Sequence, residues 1–182
     1  MDFSIVLLIV MCFFLLIVPF RYILKVFTNK EISCAYKVAN LTGLAVLSLL
    51  IVIGIDVLTI DPQTISGNGN LALLLIIPFI MVLTLYLTAF FLFFKEVINR
   101  RWKLLLSIIL PLIIIFSLAR IWQDSSELIS LLGGGPKNPD SRIYRFPWLN
   151  QYTNTIFFNV YLIVLLSGLT MWGSAVFTSK KS

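Results

Sequence analysis

The chain has 182 residues, 59% of them hydrophobic and only 12% charged, about half the charged share of an ordinary soluble domain. Its net charge of +6 comes from Lys and Arg clustered between apolar runs rather than spread along one stripe, which argues against nucleic acid as a partner and for membrane topology as their purpose. There is no histidine, so the commonest general base, metal ligand and haem ligand is missing, and no metal or cofactor is expected.

The first apolar run, about residues 3–20, lacks the basic lead and small-residue cleavage site of a secretory signal, so it is expected to stay as a membrane helix with the N-terminus outside. Arg21, Lys25, Lys30 and Lys37 follow it against a single Glu31, which makes this loop cytoplasmic by the positive-inside rule. Cys12 falls in the first run and Cys34 in the basic loop, too far apart to form a disulfide.

The second span is predicted over about residues 38–60, with Ala39, Gly43 and Ser48 on roughly one side as a face for close helix packing. Asn40, like Asn159 later in the chain, reads as an interhelical hydrogen bond. Asp56 is the acidic residue inside this apolar run. A carboxylate there is costly, so it reads either as a shallow group reaching water or as a binding carboxylate partnered by Arg120. Asp61-Pro62 should end the helix, and the Gly- and Asn-rich turn after it should lie outside.

Residues 71–94 carry no charge over more than the roughly 20 apolar residues that cross a bilayer, and the rest of the chain takes its orientation from this central span. Its leading side has no Lys or Arg, whereas Lys95, Arg100, Arg101 and Lys103 follow it. Pro78 in this span and Pro111 in the next, about residues 104–122, are expected to kink their helices.

An outer loop is expected over about residues 123–154. Asp124-Ser125-Ser126-Glu127 has capping-box spacing for a short interfacial helix that Gly133 would stop. Gly133-Gly134-Gly135-Pro136 reads as a turn, with an anion-binding nest as the sharper alternative. Arg142, Arg145 and Trp148, interleaved with Tyr144 and Phe146, suit either an interface anchor or a grip on lipid phosphate or a partner protein. The last span, about residues 155–177, leads to Lys180-Lys181 in the cytoplasm, so ten Lys and Arg lie inside and four outside.

The expected fold is therefore an all-α integral membrane protein, one membrane domain over residues 1–182 with five transmembrane helices, set in a bacterial cytoplasmic membrane. The residues assemble no nucleophile–base pair, metal cluster or paired catalytic carboxylates. The leading functional reading is a non-enzymatic accessory, regulatory, assembly or immunity-type partner of another membrane or envelope protein. Its partners would be the lipid bilayer and either a membrane protein or further copies of the chain. The alternatives are a small transporter or lipid-handling protein using Asp56 and Arg120, and a membrane enzyme acting on a lipid-linked substrate.

Overall fold

The structure, a computed structural model, describes residues 20–65 and 69–177, which form helices and connecting loops without strands. α1 covers residues 20–28, α2 Cys34–Leu58, α3 Leu73–Val97, α4 Arg100–Leu131, α5 Asn154–Phe157 and α6 Val160–Phe177. Four segments are long and apolar enough to cross a membrane: Cys34–Leu58, Leu73–Val97, Trp102–Leu131 and Asn154–Ala175. The span expected over residues 3–20, with Cys12, lies outside the described residues, as does Lys180-Lys181.

The helices pack in an order that differs from their order in the chain. α2 lies against α3, α3 against α6, and α6 against α4, while α2 and α4 make no extended contact. α3 is the most buried of the four, and Phe79 in its second turn is fully enclosed beside Ile55 of α2 and Ile163 of α6. Phe79 meets Phe158 edge-on at 5.8 Å between ring centroids. α2 and α3 approach closely at Gly54, where an added methyl would stand 2.7 Å from Leu75. Of the expected small-residue face only Ser48 is buried: Gly43 faces open space, and Ala39 is exposed. Large apolar side chains such as Leu50, Ile53, Leu74, Leu104, Ile108, Leu112 and Ile115 point outward along these helices, an exposure suited to a hydrocarbon surrounding.

α2 begins four residues earlier than its apolar run, because Ser33 caps it by accepting a hydrogen bond from the Tyr36 amide. Lys37 therefore sits in the first turns of a helix rather than in a loop. It is buried, and its Nζ donates to Glu96 at the end of α3 across 2.7 Å. α1 packs Val26 and Phe27 against Ala89 and Phe93 of α3 at this same end, and the Tyr22 and Tyr36 hydroxyls share a hydrogen bond of 2.6 Å. The start of α2 and the end of α3 are thus pinned together at one basic end.

Several expectations need correction. Residues 104–132 are not a span followed by a separate interfacial helix: α4 runs unbroken for 32 residues, about 48 Å at 1.5 Å per residue. Asp124 pairs with Arg120 one turn back at 3.0 Å, and the Ser126 hydroxyl donates to the Trp122 carbonyl. These local bonds continue the helix where the capping-box spacing predicts a new start. Pro78 and Pro111 sit within α3 and α4. In contrast, the last span is interrupted between α5 and α6. Asn159 stands in the gap and accepts from the Leu162 amide at 2.9 Å while donating to Thr155. It caps α6, so it is not an interhelical bridge; Asn40 likewise donates within its own helix, to the Tyr36 carbonyl.

At the end opposite Lys37 and Glu96, residues 132–153 fold into a cap. Gly133 is in the left-handed region at φ 77°, and Gly134 follows at φ 121°. Their amides donate to Ser130 and Ile129, the paired bonds that close a helix C-terminus. Those amides are thereby used, and the turn reading holds over the anion nest. Leu132, Ile143 and Tyr152 form a small core under the cap with Ile60 and Leu128.

The cap is tied to the α2–α3 connection by polar bonds. The Ile60 amide donates to Gln151, the Arg142 guanidinium to Thr64, and the Asn70 and Asn154 side chains bond each other twice, at 2.8 and 2.9 Å. Asn150 and Thr153 are buried and bond one another and the nearby backbone. Among the described residues no buried side-chain nitrogen or oxygen lacks a partner, so the cap meets the full cost of ordering its polar groups.

Candidate binding sites at the capped end

The residues singled out from sequence fall in two places, both at the capped end. The first is a cavity of about 360 Å³ between the outer turns of α2 and α4, floored by α5 and the start of α6. Asp56 lines it from α2, Asp124 and Ser125 from α4, and Asn159 and Tyr161 from the helix break. Val52, Ile53, Leu128 and Phe158 supply apolar walls.

Asp56 and Arg120 do not form an ion pair. Arg120 instead binds Asp124 at 3.0 Å, the Gln123 side chain at 3.1 Å and the Tyr161 hydroxyl at 3.3 Å, with its guanidinium 5.3 Å from the centre of the Tyr161 ring. Helical geometry explains this choice. Asp124 lies one turn from Arg120 on the same helix, so pairing needs no approach of a second helix, whereas α2 stands across the cavity. The structure thus brings Asp56 and the Arg120–Asp124 pair to the same cavity while leaving them uncoupled. Sequence spacing alone could have shown the Arg120–Asp124 pair. Tyr161 and Asn159 reach the site only through the break in the last span.

The second place is the surface of the cap. Tyr144, Phe146 and Trp148 stay 37%, 43% and 51% exposed, although Ile143 just before them is fully buried. Ser141 and Ile143 turn into the cap, and the whole stretch from 144 to 148 stays on its surface. Arg145 is the single non-glycine residue with a positive φ among the described residues, at 64°. This costly conformation is held by its amide, which donates to Pro136, and its guanidinium lies 4.9 Å from the Tyr144 ring centre. Trp148 lies against Gly135, where an added methyl would stand 3.1 Å from the indole. Arg142, Arg145 and Trp148 are therefore carried on one braced loop, Arg142 with its guanidinium bonded to Thr64.

Among the described residues no three of His, Cys, Asp and Glu gather as metal ligands. Compared with models of protein families, with curated proteins and with solved structures, the chain matches none.

Proposed function

We propose that this is a multi-pass protein of a bacterial cytoplasmic membrane that works as a non-enzymatic accessory or regulatory partner of another membrane or envelope protein, docking through its cap on the outer side. One observation carries the reading: the cap is a folded platform that keeps two arginines and three aromatic rings at its surface at the cost of a left-handed Arg145. Apolar rings in water are unfavourable at about 25 cal/mol per Å², so a braced loop that displays them is suited to a partner or to the interface. Arg and Trp are also the side chains that most often dominate protein–protein contacts.

The orientation rests on charge. Lys37, Lys95 and Lys103 lie at the end of the helices opposite the cap, and Lys and Arg resist transfer to the outer side. Gentle solubilisation of membranes with a tagged copy tests the docking reading. The wild type and Asp56→Asn are expected to retain the same stoichiometric partner. Arg145→Ala combined with Trp148→Ala should lose it at unchanged abundance and thermal stability. Retention of the partner by the double variant would overturn the cap as the docking face. Loss of the partner with Asp56→Asn would favour the transporter or lipid-handling reading.

A further inference from the structure

We propose that the cavity between α2 and α4 is a binding site for the amine headgroup of a single-chain or lipid-like cationic amphiphile, with Asp56 as its counter-ion. The inference does not rest on the docking role of the cap, since the two sites use different residues.

Depth is the first argument. From Lys37 to Asp56 along α2 is about 28 Å at 1.5 Å per residue, close to the roughly 30 Å of a hydrocarbon core. Asp56 thus stands where apolar solvent gives way to headgroups, and the cavity beside it combines both characters: Val52, Ile53, Leu128 and Phe158 as apolar lining, Asp56 and Asp124 as carboxylates. Among the described residues α2 and α4, the two ends of the row of helices, make no extended contact, and the outward-facing Ile53 and Val57 offer an apolar track for an attached chain.

Charge is the second argument. The carboxylate of Asp124 is matched by Arg120, which the Tyr161 hydroxyl and Gln123 hold in place. Asp56 makes no ion pair among the described residues. The cavity therefore carries one uncompensated negative charge, on Asp56. Asp56 is exposed, so its carboxylate is open to an approaching cation. An anionic headgroup would meet both carboxylates, and a neutral one would leave Asp56 as it is. An ammonium group satisfies Asp56, and the apolar walls select one that carries a chain.

Calorimetric titration of the full chain in neutral maltoside micelles tests this, with empty micelles as the blank. The probes are dodecylammonium, dodecanol, dodecanoate and the chainless amine ethanolamine. Dodecylammonium is expected to bind saturably, one per chain, and roughly tenfold or more tighter than the other three. Asp56→Asn, which keeps the shape and removes the charge, should weaken it by roughly tenfold. Arg120→Gln should strengthen it, because Asp124 is then also unmatched. Ser125→Trp, which fills the cavity and leaves Asp56 in place, should abolish binding and decides the matter if Asp56→Asn fails to fold. Equal binding of the amphiphiles, ethanolamine binding as tightly as dodecylammonium, or unchanged binding in Asp56→Asn or Ser125→Trp would each overturn the proposal.

Discussion

Lys37 shows how one side chain can change role between sequence and structure. Counted along the chain it is a fourth positive charge in a topology-setting loop; in three dimensions it is buried in α2 and bonded to Glu96 at 2.7 Å. The two partners are unequal, since the Glu96 side chain is 43% exposed and that of Lys37 only 5%. Removing the carboxylate strands a buried ammonium, whereas removing the lysine leaves a carboxylate that water can reach. Glu96→Gln is therefore expected to cost about 1–3 kcal/mol, below the roughly 3–5 kcal/mol of a fully enclosed pair, and Lys37→Met less than that. Thermal unfolding in detergent, followed by tryptophan fluorescence, measures both. A larger loss for Lys37→Met than for Glu96→Gln would show that the pair is not desolvated on the lysine side. Nothing in the sequence couples positions 37 and 96, because the contact depends on how α2 and α3 are packed.

At the scale of elements, helix existence was legible and helix ends were less so. Apolar runs of membrane length at residues 38–60, 71–94 and 104–122 correspond to α2, α3 and the first part of α4. Around Asp124 two local signals compete: the capping-box spacing predicts a new helix, while Arg120 and Asp124 at i,i+4 favour continuing the old one, and without Gly or Pro between them the second prevails. At Gly133 there is no competition, since the left-handed turn needs glycine. Gly133→Ala is expected to lower stability by about 1 kcal/mol or more, through the positive φ and a contact of 3.1 Å with the Asp140 carbonyl. Gly43→Ala, inside α2 with nothing within 4 Å, should be neutral or stabilising by up to about 1 kcal/mol. Melting temperatures of the two variants against wild type check the contrast, and equal losses would contradict it.

Across the whole molecule, the neighbour order α2–α3–α6–α4 could not be read in advance. In a lipid-solvated bundle the protein-facing and lipid-facing sides are equally apolar, so hydrophobic periodicity does not mark which side packs. The cap was hidden for a related reason. Its fixing bonds join residues far apart in the chain, such as Asn70 with Asn154 and Arg142 with Thr64, and no local spacing announces them. The Lys37–Glu96 end and the capped end are segregated at opposite poles of the same four helices.

That segregation, set across a membrane with the cap outward, is the claim on which both proposed sites depend. Cysteine labelling in intact cells tests it most directly, because Cys34 is exposed and free at the basic end. In a Cys12→Ser background, Cys34 is expected to react with a membrane-impermeant maleimide only after permeabilisation. A Lys137→Cys substitution in the cap, placed on Cys12→Ser and Cys34→Ser, should react in intact cells. Labelling of Cys34 from outside, or protection of position 137 until the cells are opened, would contradict the account.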